Sequence, residues 1–286
     1  MTVLHSDISS EDSSFARDMR FSETLVDQVA GVPYWWHSVD LGSGIVTPGQ
    51  KSAQLLAAEL ENLRLGDLRG KSVLDVGAWD GYFSFAAERL GADLVLALDH
   101  YVWRSQLSEH GVPGNCPLAP AGELPGRAGF DVAHRALNSR VLPVVADVAT
   151  ADLRGLGNFD VVLFLGVLYH LENPLSVLRK LRALTRGVLV LETEAVLLPG
   201  YEQTGICEFH EGAELNNDAT NWWSPNARAV EGMCRAAGFA DVTTIVGPPQ
   251  SPENPRGRRA RVRHARTSPA RSDGKTVHYR HVLHAR

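Results

Sequence analysis

From residue 72 onward, short apolar runs that suit β-strands alternate with segments that suit α-helices. The predicted strands are Ser72–Val76, Leu94–Asp99, Val141–Val145, Val161–Leu165, Val188–Glu192, Val242–Val246 and Thr276–His284. The predicted helices between them are Tyr82–Leu90, Phe130–Ser139, Pro174–Leu184 and Pro225–Ala237, the last with a proline in its first turn. Alternation of this kind predicts an α/β fold, a mostly parallel seven-stranded sheet with helices on both faces. Ligands of such sheets bind at the carboxyl ends of the strands.

The part of the chain before residue 67 has a different character. Residues 1–14 are polar and predict a disordered tail, and residues 15–66 predict a helical and aromatic extension that caps the active site. Residues 67–286 then form the main domain. Two helices are expected in the extension, Phe15–Ala30 and Lys51–Leu63.

Two insertions interrupt the main domain, at about 105–128 and 248–274. The first is a long loop rich in Gly and Pro, which is typical of a lid or a binding insertion. Seven arginines of the second lie between Arg256 and Arg271, although the whole chain carries a net charge of −5. This segment either binds RNA phosphates or is a solvated, disordered hairpin, and its prolines favour disorder.

The cysteines are few and far apart: Cys116, Cys207 and Cys234. They predict neither a disulfide framework nor a structural zinc site. The polar residues that follow Cys207 (Glu208, His210 and Glu211) have no trustworthy ligand spacing, so we expect no metal. The chain has neither an apolar leader nor a run of about twenty apolar residues. We therefore expect a cytoplasmic protein without membrane contact.

A glycine-rich loop follows the strand Ser72–Val76. Gly77 and Gly81 permit a tight turn and a close approach of the backbone to a ligand. An NAD site competes with this interpretation, but Asp75, inside the strand, suits a cationic amino group better than a pyrophosphate. Asp99 ends the next strand and can accept both hydroxyls of a ribose, and Asp147 ends the third and suits the amine of adenine. Three acids at successive strand ends indicate S-adenosylmethionine (SAM); the alternative is that they are strand-end caps in an unrelated α/β protein.

The chain resembles the class I SAM-dependent methyltransferases, and among them the branch that contains the bacterial transfer RNA wobble-uridine carboxymethyltransferases. The resemblance spans roughly Val32 to the C-terminus and implies a Rossmann-like fold. The segments that carry it are Val73–Gly77, Asp160–His170, Asn173–Pro174 and Leu191–Thr193. With the loop, it extends the expected cofactor contacts to Trp79, His100, Val148, Leu165 and Tyr169.

The resemblance also implies a role for Arg280 in the last strand, because the matching arginine of that branch reaches the carboxyl group of a carboxylated SAM. The branch has a lysine for the same carboxylate, shortly before its aromatic segment. Here the matching place is about Gly31, and no lysine precedes Lys51. A carboxylate in a low-dielectric cleft needs paired charges, so the sequence favours ordinary SAM as the donor.

Methyl transfer to a hydroxyl or an amine needs a group that removes a proton. We expect His170, after the fourth strand, and His37, in the aromatic segment, to be catalytic, because histidine titrates in the required range. Trp36 and Trp223 are candidates to stack on a planar acceptor. The competing interpretation is structural: a histidine that hydrogen-bonds its own loop, and tryptophans that pack in the core.

Three functions remain open on the sequence alone. The first is methyl transfer to a small-molecule acceptor, through a hydroxyl, in specialised metabolism; the long loop and the acidic body of the chain favour it. The second is methyl or carboxymethyl transfer to a wobble uridine of transfer RNA, which the arginine run favours. The third is a SAM-binding regulatory protein that does not methylate, and His170 and His37 argue against it.

Overall fold

The computed structural model describes residues 24–100, 126–249 and 276–286. The predicted tail, the start of the helix predicted from Phe15, most of the first insertion and nearly all of the arginine-rich insertion lie outside these residues. Within the described ranges, no helix combines the length and the apolar character that crossing a membrane requires.

Seven strands form the main sheet of the described chain, in the order β3-β2-β1-β4-β5-β9-β8, and a separate two-stranded sheet pairs β6 with β7. The strands are β1 (Ser72–Val76), β2 (Leu94–Asp99), β3 (Leu142–Val145), β4 (Phe159–Leu165), β5 (Thr185–Leu197), β6 (Cys207–Phe209), β7 (Trp223–Pro225), β8 (Val242–Val246) and β9 (Val277–Ala285). Strands β3, β2, β1, β4 and β5 are parallel to one another, and β9 runs antiparallel to both of its neighbours. The predicted Rossmann-like, mostly parallel sheet is confirmed.

Three of the six described helices begin at a side-chain cap. The six helices are α1 (24–30), α2 (Ala53–Leu63), α3 (Tyr82–Arg89), α4 (Ala128–Ala136), α5 (Pro174–Leu184) and α6 (Ala227–Ala236). The side chains of Ser52, Asn173 and Asn226 accept a backbone N–H from the first turns of α2, α5 and α6, which satisfies donors that have no partner inside a helix.

The sheet separates two apolar layers, because successive side chains of a strand point to opposite faces. Val73 and Val190 belong to the layer that includes residues of segment 25–41 and of α2, α3 and α4. Leu74 and Leu191 belong to the other layer, which includes residues of α5 and α6. The helices therefore cover both faces, as predicted, and the N-terminal segment packs over the first.

The bounds of several predicted elements need correction, among them the starts of α2 (Ala53) and β4 (Phe159). The helix predicted at Phe130–Ser139 is Ala128–Ala136, and the strand predicted at Val188–Glu192 extends over Thr185–Leu197 because β9 pairs with its far half. The helix predicted from Pro225 begins at Ala227, since Pro225 ends β7 and Asn226 is the cap. The pairing of β6 with β7 was not predicted.

Candidate active site

The loop between β1 and α3 needs glycine at two positions. Gly77 has a φ of +80° and Gly81 a φ of +87°, a region that residues with a Cβ rarely adopt. A Cβ on Gly77 would lie 2.3 Å from the Val167 side chain, and one on Gly81 would lie 2.7 Å from Phe85. The loop is thus a tight turn that brings backbone close to the carboxyl ends of β1 and β4.

Asp75 lies under this loop with only 2% of its surface exposed. Burial raises the pKa of its carboxyl group to about 6, although the Ser84 hydroxyl donates a hydrogen bond to it at 2.6 Å. A carboxylate that burial disfavours to this degree gains from a cationic partner. The ammonium group of a methionine moiety would supply such a partner.

Asp99 ends β2 next to β1, and only 5% of its surface is exposed. It accepts the backbone N–H of Trp79 at 2.9 Å and lies 2.9 Å from Nδ1 of His100. Burial alone would lower the pKa of His100, but the Asp99 carboxylate raises it above its ordinary value. The structure thus brings Asp99, His100 and the loop together at the place where the sequence predicts a ribose.

Asp147 follows β3 and caps its own turn. Its carboxylate accepts the Ala149 N–H at 2.8 Å and the Thr150 hydroxyl at 2.9 Å, and it is half-buried. The next residue, Val148, is buried in the second apolar layer. Leu165, at the end of β4, is half-buried. The adenine contacts expected of these residues remain predictions.

The aromatic segment of the extension is fastened to the cofactor loop through Asp80. One carboxylate oxygen of Asp80 accepts the backbone N–H groups of Trp36 and His37, at 2.9 and 3.0 Å, and the other is bonded to Nδ1 of His37. The Trp36 and Trp79 rings lie 5.8 Å apart. The extension therefore lies against the cofactor loop, and Asp80 is a site residue that the sequence analysis missed.

Arg280, in β9, lies partly buried among carboxylates. Its guanidinium donates two hydrogen bonds to Glu192 and one, at 3.3 Å, to Glu194, and it lies 5.1 Å over the Tyr169 ring, whose hydroxyl it also contacts at 3.3 Å. Burial alone would raise the pKa of Glu192, but Arg280 lowers it below its ordinary value. Burial also raises the pKa of Tyr169 to about 12, so this hydroxyl stays protonated.

Lys51 is the second cation near this cluster. Its ammonium group lies 2.8 Å from Glu59 and 5.7 Å from the centre of the Trp36 ring. Its charge also contributes to the lowered pKa of Glu192, which places it within electrostatic range of the Arg280 pair. The sequence predicts Lys51 only as the start of a helix. The fold places it within electrostatic range of Glu192, where no lysine was expected.

His170 lies just beyond β4, beside Tyr169, with ring centroids 4.3 Å apart. Its Nδ1 lies 3.1 Å from the carbonyl oxygen of Thr220 and 3.0 Å from the Thr220 hydroxyl. Burial lowers the pKa of His170, so the ring is neutral near pH 7. A carbonyl can only accept, so Nδ1 carries the hydrogen and Nε2 is left with a lone pair.

Trp223 adjoins the segment that carries His170. Its indole N–H donates to the Leu171 carbonyl at 2.9 Å, and its ring lies 5.1 Å from Phe209. It lines an apolar pocket with Leu168, Pro174, Cys207, Pro225 and Met233. Its predicted contact with the acceptor stays a prediction.

Two of the polar residues after Cys207, Glu208 and His210, pair with side chains of neighbouring strands. His210 Nε2 lies 2.9 Å from the Ser224 hydroxyl, and Glu208 lies 3.2 Å from His278, which is also 3.4 Å from Glu194. In the ranges that the structure describes, no group of three or more His, Cys, Asp or Glu side chains could hold a metal ion.

The parallel sheet, the glycine loop and the acids at the strand ends define a Rossmann-like class I methyltransferase. The model of the family described as a methyltransferase domain matches residues 50–244, which is more than half of the chain, and the chain belongs to that family. It therefore carries a methyltransferase domain. The residues present fit SAM as the cofactor, since Asp75 offers a buried carboxylate to a cation beneath the glycine loop.

Curated relatives point to one branch. The chain is 32% identical to the tRNA U34 carboxymethyltransferases of Pseudomonas putida (strain W619) and Stutzerimonas stutzeri (strain A1501), over 181 residues that cover 63% of this chain and 48% of each relative. The chain thus spans about half the length of the curated relatives that it matches. The resemblance stated from the sequence is confirmed.

Among solved structures, the N-terminal domain of EvdMO1 has a similar fold. The form determined in the presence of SAH and D-fucose matches with a TM-score of 0.52 and 20% identity, and covers 93% of this chain and 96% of that one. At this identity the likeness concerns the fold.

Proposed function

We propose that this enzyme transfers a methyl group from ordinary SAM to a hydroxyl of a small-molecule acceptor. The observation that carries the proposal is the pairing of Arg280, the cation that would meet a carboxylated donor, with both Glu192 and Glu194. Two carboxylates against one guanidinium leave no net positive charge for a third carboxylate. Because buried charges need partners, this arrangement favours a donor without the extra carboxyl group.

The second cation does not change this balance. Lys51 is paired with Glu59 at 2.8 Å, and both side chains are largely buried. A carboxylated donor would have to separate one of these two ion pairs before it found a partner. Ordinary SAM lacks the extra carboxyl group, so both ion pairs can stay intact when it binds.

The surroundings of His170 also favour a small acceptor over RNA. The stretch 187–227, which supplies Thr220, contains seven Asp and Glu residues and no Lys or Arg. Phosphate groups bind through lysine and arginine, and this stretch supplies neither. A neutral hydroxylated molecule needs no such cation.

The groups at this end of the sheet can do the chemistry that such an acceptor requires. Bound SAM supplies a methyl group on a sulfonium, which an oxygen nucleophile displaces in line. His170 holds its Nδ1 hydrogen on Thr220 and is neutral, so Nε2 can take the proton of the acceptor hydroxyl. Proton removal by a positioned base contributes about 10²- to 10⁴-fold to such a reaction.

A second candidate is carboxymethyl or methyl transfer to the wobble uridine of transfer RNA. The curated relatives favour it, since those matched at 30–32% identity are named tRNA U34 carboxymethyltransferases. In that case Arg280 and Lys51 would hold the donor carboxylate, after Glu194 and Glu59 release them.

The test is a two-by-two assay of the purified full chain. Ordinary or carboxylated SAM is combined with total transfer RNA or with a small-molecule extract, and mass spectrometry identifies any methyl or carboxymethyl product. We expect methylated small molecules with ordinary SAM, and a loss of about 10²- to 10⁴-fold in turnover for His170→Gln. His134→Gln is the matched control, because the His134 ring bonds to the Val141 carbonyl at 2.8 Å and packs against Phe130, away from the end of β4 that carries His170. Carboxymethylated RNA as the sole product would establish the second candidate instead.

A further inference from the structure

Asp80 stands out because, among the described residues, its carboxylate bonds to two consecutive residues of another segment. Its Oδ2 accepts the backbone N–H groups of Trp36 and His37, while its Oδ1 is bonded to the His37 ring. Asp80 is only 2% exposed, and His37 4%. A buried carboxylate with three donors is a strong and directional anchor.

The rest of His37 is held as firmly. Its carbonyl oxygen accepts the Thr47 hydroxyl at 2.7 Å, and its ring lies between those of Tyr82 and Phe83, at 5.8 and 5.7 Å. Gly49 passes so close that a Cβ there would lie 2.0 Å from the His37 carbonyl carbon. Backbone and ring are therefore fixed before any ligand binds.

We infer that Asp80 is a positioning residue that fixes the tautomer of His37, so that Nε2 keeps a lone pair and accepts a hydrogen bond from the methyl acceptor. The inference rests on the proposed function and deepens it. A carboxylate only accepts hydrogen bonds, so the nitrogen facing it must carry the hydrogen. In a neutral ring the other nitrogen, Nε2, is then an acceptor.

The location of His37 suits this role. It adjoins the cofactor loop through Asp80, and it lies within electrostatic range of Asp75, the carboxylate beneath that loop. Within the described ranges, no hydrogen-bond partner is found for Nε2, whereas Nδ1 is engaged.

The substitution Asp80→Asn separates anchoring from tautomer control. The amide oxygen of asparagine can still accept the two backbone N–H groups of Trp36 and His37. Its NH₂ group then faces Nδ1 and donates to it, which moves the ring hydrogen to Nε2. The fold and the binding of SAH should therefore survive, while Nε2 changes from an acceptor into a donor.

The first readout does not depend on any acceptor. Nitrogen-15 NMR of histidine-labelled protein reports which ring nitrogen carries the hydrogen, and the His37 signal is identified by its loss in His37→Gln. We expect the hydrogen on Nδ1 in the wild type and on Nε2 in Asp80→Asn. A wild-type hydrogen on Nε2 would overturn the inference, whatever the acceptor is and even if Asp80→Asn does not fold.

The second readout is kinetic. With the acceptor found in the two-by-two assay, Asp80→Asn and His37→Gln should each lower kcat/KM for the acceptor about 10²-fold, the typical loss from a misplaced reactant. SAH affinity should be unchanged, and the double variant should lose no more than either single one. Full activity of Asp80→Asn, or a loss of SAH affinity that accounts for its defect, would contradict the inference. If no small molecule is methylated, the proposed function fails while the NMR result stands by itself.

Discussion

Glu194 should decide which donor this enzyme accepts. Its carboxylate lies 3.3 Å from Nη1 of Arg280, on the side of the guanidinium that Glu192 leaves open. The substitution Glu194→Gln removes one negative charge and keeps the size of the side chain. Arg280 then balances only Glu192, and a donor carboxylate meets less repulsion.

The magnitude follows from Coulomb's law. A ligand carboxylate on the same guanidinium would lie about 5 Å from the charge of Glu194, which at an effective dielectric constant of about 20 costs roughly 3 kcal/mol. Relief of that repulsion corresponds to about a 10²-fold gain in affinity. We therefore expect Glu194→Gln to tighten the binding of carboxylated SAM by about this factor and to leave ordinary SAM nearly unaffected.

Isothermal titration calorimetry of both donors against the wild type and Glu194→Gln measures this difference. Glu202→Gln is the matched control, because Glu202 is exposed and its carboxylate bonds to the Gly200 N–H instead of Arg280. An unchanged ratio of the two affinities in Glu194→Gln would refute the argument. Tight binding of carboxylated SAM to the wild type would refute the proposed choice of donor as well.

Two further predictions concern the acids beneath the cofactor loop. Asp99→Ala should weaken SAH binding by roughly 1–3 kcal/mol, because the ribose hydroxyls lose a buried acceptor; calorimetry that shows unchanged affinity would remove Asp99 from the site. Asp75→Asn should stabilise the ligand-free protein at pH 7. The pKa of Asp75 rises from 3.8 in the unfolded chain to about 6 in the fold. As pH rises from about 4 to 6, the free energy of unfolding therefore falls by roughly 3 kcal/mol, because the carboxyl group ionises more readily in the unfolded chain. Urea denaturation should show this gain at pH 7 and almost none at pH 4, and an equal gain at both values would contradict it.

The sequence predicts β1 and β2 with the observed bounds, because most of their apolar residues are buried. The bounds of β8, which lies at the edge of the sheet, are also those predicted. The sequence misses the outer half of β5, because Thr193–Leu197 is extended only through its pairing with β9. It also misplaces the start of α6, since Pro225 suits a first helical turn as well as the end of a short strand.

The candidate site likewise has residues that the sequence predicts and residues that it does not. Asp75 and Asp99 are predictable because they end neighbouring parallel strands, and topology alone then brings them together. The contacts of Asp80 with His37 and of Glu194 with Arg280 are not predictable, because the paired residues lie 43 and 86 positions apart in the sequence. No local pattern in the sequence records such contacts.

Strand β9 has a consequence for how the molecule reaches its native state. It lies between β5 and β8, so until it inserts, both of these strands present open edges. The same insertion brings Arg280 to Glu192 and Glu194, which would otherwise be two buried and unpaired negative charges. Contacts of such long sequence separation raise the contact order and form slowly. The insertion of β9 therefore completes the sheet and neutralises Glu192 and Glu194 in the same folding step. Before this step, the chain has the rest of the sheet but no working pocket.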